Sequence, residues 1–416
     1  MRMLHTSDWH LGRSLHRADL RQAQAAYLDH LVGVVRSEKI DAVLVAGDVY
    51  DRAIPPVDAV ALCEDGLVRL RDAGARVIVI SGNHDSARRL GFGSALVDAA
   101  GVHLRTRAGS LAQPVLLADR HGPVAVYGVP YLEPDAVRAE LPAAAADQDD
   151  ACPPRGHAGV LGRAVQCIRA DAAARGGVRS VAIAHAWVAG GEASDSERDI
   201  CVGGVGRVPA ALFDGFSYVA LGHLHGQQTL GPRLRYSGSP LPYSFSEARH
   251  AKGSWLVELD ADGGVRAERV PAPGFRALNV LRGTLDDLLA SAAYDRYRAD
   301  FLSVTLTDTS RPDGAMEKLR QRFPHVLMLA FEPEGGAADH RSYRAKVAGR
   351  DDLTVAAEFV THVRHSQVTP GERALLAAAF EEARRAAGEE PPPDGTAGEQ
   401  PPPDGTAAGP ESPEEG

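Results

Sequence analysis

Five short segments of this sequence gather the side-chain types that hold metal ions: Ser7-Asp8-Trp9-His10-Leu11-Gly12, Ala46-Gly47-Asp48-Val49-Tyr50-Asp51, Ser81-Gly82-Asn83-His84-Asp85, Ala184-His185-Ala186-Trp187 and Leu221-Gly222-His223-Leu224-His225-Gly226. Together they offer two aspartates (Asp8, Asp48), one asparagine (Asn83) and four histidines (His10, His185, His223, His225), with His84 left over. Carboxylate, amide and imidazole donors in one set suit borderline divalent ions such as Mn²⁺, Fe²⁺ or Zn²⁺ better than Mg²⁺ or Ca²⁺. The lack of cysteine in the set argues against a structural zinc site. Seven donors are too many for one ion and suit a pair about 3.5–4 Å apart that share a bridging carboxylate and water. Asp48, in the middle loop, is the natural bridge. Asp8, His10 and His225 would complete one ion, and Asn83, His185 and His223 the other. Gly47 and Gly82 would let the backbone turn sharply beneath them.

Each segment starts where a short apolar run ends, and loops at strand ends are where α/β sheets build their sites. The runs predict strands over Arg2–His5, Ala42–Val45, Arg76–Ile80, Val124–Tyr127, Ser180–Ala184, Tyr218–Leu221, Leu234–Tyr236 and Ser254–Leu259. Helical periodicity covers Arg21–Glu38 and Val57–Ala73, so the first third reads as a parallel α/β sheet. The later half has strand-turn-strand spacing and predicts a second, mostly antiparallel sheet. Past Val270-Pro271-Ala272-Pro273-Gly274 the order becomes strand (Arg276–Leu281), helix (Leu285–Ala292), strand (Phe301–Leu306), helix (Gly314–Phe323), strand (Val326–Phe331). Two amphipathic helices follow, Asp351–His365 and Pro370–Ala386, as a self-packed hairpin or a docking surface for another chain. The repeat Pro-Pro-Pro-Asp-Gly-Thr-Ala at 391–397 and 401–407 marks a tail expected to be disordered. The domain boundaries implied are 1–272, 273–335, 336–388 and 389–416.

Lys+Arg 45 against Asp+Glu 55 give a net charge of −10. Residues 389–416 hold eight acidic groups and no basic one, which leaves −2 for the body. Any polyanion must therefore be drawn by a local patch, a bound metal or a partner. No apolar run reaches the ~18 residues of a membrane span, and the start of the chain passes directly into the first segment, leaving no room for a signal peptide. Cys63, Cys152, Cys167 and Cys201 are widely spaced, which predicts reduced thiols in the cytosol.

The ordered set D-x-H, G-D, G-N-H-D, H and G-H-x-H over residues 8–225 resembles the calcineurin-like metallophosphoesterases. The phrasing of Leu4–Gly12, Val45–Asp51, Ala220–His225 and Tyr236-Ser237-Gly238-Ser239-Pro240-Leu241-Pro242 is similar to the SbcD nuclease subunits of bacteria. The resemblance implies an α/β fold: a metallophosphoesterase β-sandwich flanked by helices, with a small α+β capping domain and C-terminal helices. It implies a DNA exonuclease and hairpin endonuclease in which two divalent ions, Mn²⁺, polarise the scissile phosphate and activate a bridging water. It further implies that His84 contacts the phosphate and protonates the departing sugar oxygen. Partners implied are an SbcC-type coiled-coil ATPase gripped by residues 351–386, and a second copy, making a homodimer within a heterotetramer. ATP would sit on the ATPase, since this chain has no G-x-x-x-x-G-K-[ST] loop. The setting would be the bacterial cytoplasm, on the nucleoid, in DNA repair and recombination.

Arg13, Arg52, Arg88 and Arg89 lie in or just after metal-bearing loops and are the candidates for DNA phosphate contact. Among the neighbours, His5 reads as a strand residue that points away from the Asp8 side or packs beneath it, and Trp9 as a wall of the site. Asp51 and Asp85 either orient ligand histidines or cap turns. Two other readings compete: a small-molecule or cyclic-nucleotide phosphodiesterase with the same dinuclear site, and a non-catalytic scaffold that anchors an ATPase on DNA.

Overall fold

The β-rich, apolar Arg2–Thr6 (β1) is followed by a helix, Arg21–Glu38 (α1), that places Tyr27, Leu28, Leu31, Val32 and Val35 on one buried stripe. Lys39, in the left-handed conformation at φ 51°, ends the helix and hands the chain to Ala42–Ala46 (β2). A second crossover, Val57–Asp72 (α2), leads to Arg76–Ile80 (β3), and Val102–Arg105 (β4) follows. The computed structural model describes residues 1–137, 140–141, 156–197, 206–334, 351–364 and 366–387. Strands β1 to β4 are parallel neighbours, the first two pairs joined by the strand–helix–strand crossovers through α1 and α2.

Next come Val115–Asp119 (β5), Gly122–Val129 (β6), the helix His157–Ala174 (α3), Arg179–His185 (β7), Tyr218–Gly222 (β8) and Leu234–Tyr236 (β9). Gly253–Leu259 (β10) and Val265–Pro271 (β11) then return to the first sheet, whose order is β11-β10-β1-β2-β3-β4. The second sheet runs Gln228–Thr229, β9, β8, β7, β6, β5. It is not mostly antiparallel, as the spacing suggested. Strands β6, β7, β8 and β9 are parallel, and only its two edges reverse. The chain returns to the same end of the sheet through α3 and through the connection between β7 and β8, and such crossovers make parallel neighbours. Helix α3 buries Val160, Leu161, Ala164, Val165 and Ile168 along one stripe, and strands β4, β5 and β11 are short or half-exposed.

The sheets face each other across one core, with Met3, Leu44, Ile78 and Ile80 from the first meeting Val124, Val126, Val181, Ile183 and Ala220 from the second. The outer face of the first sheet is covered by α1 and α2, and that of the second by α3 with Phe213 and Phe216. A buried leucine such as Leu28 or Leu31 contributes about 1.5–3 kcal/mol in such a layer. Helix–sheet–sheet–helix layering aligns the carboxyl ends of β1, β2 and β3 with those of β7 and β8, and the chemistry sits there.

Leu278–Gly283 (β12), Leu285–Ala290 (α4), Phe301–Leu306 (β13), Ala315–Arg322 (α5) and Val326–Phe331 (β14) make a three-stranded parallel sheet with its own core around Leu288, Leu302, Val304, Leu319 and Phe323. Leu278 and Phe301 of this module pack on Leu15, Leu20, Leu241 and Tyr243 of the sandwich. By contact density the chain divides into one unit of Met1–Thr307 with Asp313–Glu332 and another of Asp308–Pro312 with Pro333–Gly416. The second unit holds Asp352–Arg364 (α6) and Pro370–Ala387 (α7), helices joined by an Arg364–Glu372 ion pair at 2.6 Å. Thr369 and Glu372 cap α7 reciprocally, each side chain accepting from the other's backbone N–H. Among the described residues no helix is long and apolar enough to cross a membrane. Cys63 is buried and Cys167 half-buried, both as thiols. Cys152, Cys201 and the 389–416 tail lie outside the described residues.

Candidate metal centre

Strand β1 delivers Asp8 and His10, β2 delivers Asp48, and β3 delivers Asn83 and His84; β7 ends on His185, and β8 runs into His223 and His225. All seven predicted donors and His84 converge. His10 Nε2 lies 3.0 Å from His225 Nε2. Asn83 Oδ1 is 2.9 Å from His185 Nε2 and 3.1 Å from His223 Nδ1. The Asp48 Oδ2 atom is 3.7 Å from His10 Nε2 and 3.6 Å from His185 Nε2, so it lies between the two groups. Donor atoms of Asp8, His10 and His225 also come within 4.8 Å of one another, as do those of Asp8, Asp48 and His185.

Backbone geometry at the centre is costly. Asp8 (φ 52°), His10 (44°), Asp48 (49°) and His223 (106°) all occupy the left-handed region, at about 1–3 kcal/mol each for residues other than glycine. At Gly82 a Cβ would stand 2.1 Å from Asp48 Oδ1, and at Gly47 (φ 87°) one would stand 2.4 Å from His185 Nδ1. Only hydrogen fits at either place. Gly82 therefore serves close approach, and Gly47 serves both approach and a left-handed turn.

The electrostatics suit a cation. His185 Nδ1 is 2.9 Å from the Ala46 carbonyl, which can only accept, so Nδ1 carries the proton and the Nε2 lone pair faces Asn83 Oδ1 and Asp48. A lone pair aimed at an amide oxygen and a carboxylate is repulsive unless a positive ion lies among them. Burial first, and the neighbouring imidazoles next, push the His10 and His223 rings well below the usual histidine range, and burial lowers His185 as well. They are thus held neutral, the form in which an imidazole can ligate a metal. Burial, then the Asp48 charge, pushes the Asp8 carboxyl well above its ordinary range, a cost that a bound cation would reverse. His223 Nε2 is buried with no hydrogen-bond partner. The donor set fits divalent cations.

Residues 1–145 match the family model described as calcineurin-like phosphoesterase, and residues 274–364 match the SbcD_C model, described as the type 5 capsule protein repressor C-terminal domain. The chain is an SbcD-type metallophosphoesterase. Among solved structures, GAP50, described as the anchor in the inner membrane complex of Plasmodium, aligns with 81% of this chain and 98% of its own at 9% identity and a TM-score of 0.37, a likeness too slight to carry an argument.

The remaining predicted residues of this phosphoesterase divide sharply. His84 sits at the rim, its ring 4.7 Å from that of His10 and its Nδ1 donating to the Asp51 carbonyl at 2.7 Å, which leaves Nε2 as its other polar edge. Its backbone N–H donates to Asp48 Oδ1 at 2.9 Å, tying the rim to the middle of the site. Arg13 is half-buried: it donates to the Ser196 carbonyl, lies 3.7 Å from Asp51 and stacks over Tyr243. Arg52, Arg88 and Arg89 are exposed; Arg52 lies 3.6 Å from Asp51, and Arg89 donates to the Ala53 carbonyl.

Trp9 is no wall of the site. Its ring is 1% exposed and belongs to the core beneath α1 and α2, with its N–H donated to Thr6. His5 is buried between the sheets, bonded to the Tyr218 hydroxyl and the Leu221 carbonyl. Asp85 caps a turn, accepting from the N–H groups of Gly82, Val49 and Tyr50; burial, with Asp48 adding to it, pushes its carboxyl up to about 7. Sequence reasoning missed Ser196, Glu197, Glu247 and Lys252, which gather behind His225. The one hint was that Glu247 and Lys252 follow closely on the Tyr236–Pro242 stretch.

Proposed function

We propose that this metallophosphoesterase is a metal-dependent DNA nuclease, cutting DNA ends and hairpins together with an SbcC-type ATPase in the bacterial cytoplasm. The observation that carries the reading is the Asp48 carboxylate, set between His10 on one side and His185 on the other at 3.7 and 3.6 Å, where a bridging ligand belongs. Asp8, His10 and His225 would hold one cation, Asn83, His185 and His223 a second, and Asp48 both. Manganese fits this oxygen and imidazole set. Bound there, the ions supply Lewis acidity to a phosphate oxygen and acidify a water for attack.

The chain's own residues do the rest. His84, with Nδ1 spent on the Asp51 carbonyl, presents Nε2 at the rim; in its protonated form that N–H can contact a phosphate oxygen and donate its proton to the departing sugar oxygen. The left-handed loops hold the donors in place before substrate arrives, so little reorganisation is left for the reaction. Exposed Arg52, Arg88 and Arg89 would take neighbouring phosphates without reading sequence, while Arg13 braces the loop behind them. Helices α6 and α7 carry exposed Phe359, Val363 and Leu375, an apolar stripe suited to the base of a coiled coil. A second copy would pair through the phosphoesterase domain and give a heterotetramer with two ATPase chains.

The test is direct. Elemental analysis should find two manganese ions per chain, and the protein should degrade linear duplex and hairpin DNA with Mn²⁺. Hydrolysis of bis(p-nitrophenyl) phosphate or a cyclic nucleotide with no attack on DNA would overturn the nuclease reading. Fewer than two ions would overturn the dinuclear one.

A further inference from the structure

Each imidazole of the centre must present the right nitrogen, and the means differ. His185 is oriented by a backbone carbonyl, that of Ala46, 2.9 Å from Nδ1. His225 is oriented by side chains from two other loops. Its Nδ1 lies 2.6 Å from Ser196 Oγ and 3.3 Å from Glu247 Oε1. Ser196 Oγ in turn donates its hydroxyl hydrogen to Glu247. Having given that hydrogen away, the Ser196 oxygen can only accept from His225, so Nδ1 bears the proton. The Nε2 lone pair is then the edge that faces His10 Nε2 at 3.0 Å.

Glu247 is 1% exposed, yet it is compensated: Lys252 Nζ donates to it and also to Ser239 Oγ and to the His225 carbonyl, both at 2.9 Å. The Glu197 carboxylate adds a bond from the His225 backbone N–H at 2.7 Å. A buried acid and a buried lysine are expensive to keep for stability alone. Here they converge on one donor of the site.

We propose that Glu247 and Ser196 are positioning residues that lock His225 in its Nδ1–H tautomer and so aim its Nε2 lone pair into the metal centre. This rests on the dinuclear reading above. Lys252 keeps Glu247 an acceptor, and the Ser196 hydroxyl relays that acceptor to the ring across a gap the carboxylate spans poorly by itself. The segment carrying Ser196 and Glu197 is thereby coupled to how tightly the site holds its ions.

The experiment uses the full chain and its Ser196→Ala, Ser196→Thr and Glu247→Gln variants. Manganese affinity is measured by competition with a chelating fluorophore, melting curves are recorded without metal, and the nitrogen resonances of His225 are followed in the metal-free protein. Ser196→Ala and Glu247→Gln should weaken manganese binding about 10- to 100-fold, the range for partners of metal-ligating histidines. Ser196→Thr, which keeps the hydroxyl, should restore affinity to near the parent's, and the parent's His225 should show a protonated Nδ1. Glu247→Gln leaves Lys252 without its counter-charge; if it fails to fold, the two serine variants decide. Parent-like affinity in Ser196→Ala, or equal losses in Ser196→Ala and Ser196→Thr, overturns the inference alone. A parent that binds no manganese overturns the metal reading and this inference with it.

Discussion

Single atoms decide most of what this site can do. His84 has one ring nitrogen committed to Asp51, stands edge-on to His10 and binds Asp48 through its backbone N–H. His84→Gln should therefore leave the ion count unchanged while DNA cleavage falls about 100-fold or more, the usual share of a proton donor; elemental analysis beside a single-turnover assay checks both halves. That these seven side chains would gather could be read in advance, because few residue types ligate such ions and all seven stand at the ends of apolar runs. Glu247, Ser196 and Lys252 could not. They are ordinary polar residues in irregular stretches, and only the folded chain brings them behind His225. Trp9 misled for the opposite reason: adjacency in sequence to Asp8 and His10 says nothing about which way a ring turns, and this one turns into the core.

Elements set how closely those atoms approach. The loop after β3 runs so near Asp48 that a methyl group at Gly82 would overlap its carboxylate. Gly82→Ala should keep the far-ultraviolet circular dichroism of the parent but lower Mn²⁺-dependent cleavage about 100-fold, as a ~1 Å displacement of a reacting group does; activity at the parent level would show that the loop yields freely. At the opposite ends of the strands, Asp119 of β5 meets Arg179 of β7 at 2.6 Å, and that guanidinium holds the Asp119 carboxyl below its usual range. Its contribution is present above the unfolded value of about 3.9 and lost as pH falls through the lowered folded one. Asp119→Asn should then melt below the parent at pH 7, with the gap closing only under about pH 4; melts across pH 2–8 would expose a gap that ignores pH. Helices α1 and α2 were legible from their apolar stripes, and the strands of the first sheet from runs such as Val43-Leu44-Val45. The direction of the second sheet was not, because parallel pairing depends on where distant connections return the chain, which no local pattern records.

At the scale of the whole molecule, a body charge near −2 would leave the proposed attraction of DNA to a few exposed groups. Replacing Arg52, Arg88 and Arg89 together by alanine should flatten the slope of log affinity against log salt by up to about 0.9 per lost contact on duplex DNA; an unchanged slope in a filter-binding titration would acquit all of them. Arg13→Ala belongs to another class, since that side chain braces Ser196 and Tyr243 and its loss should disturb the site more than the salt slope. The two sheets of the sandwich contribute unequally to the centre: Asp8, His10, Asp48 and Asn83 come from one, and His185, His223 and His225 from the other. Ions bound among them would act as a rivet through both plates. Chelation should then loosen the seam between the layers as a whole, seen as faster amide exchange in β2 and β8 alike, and a cell short of the metal would hold a softer protein as well as an idle one.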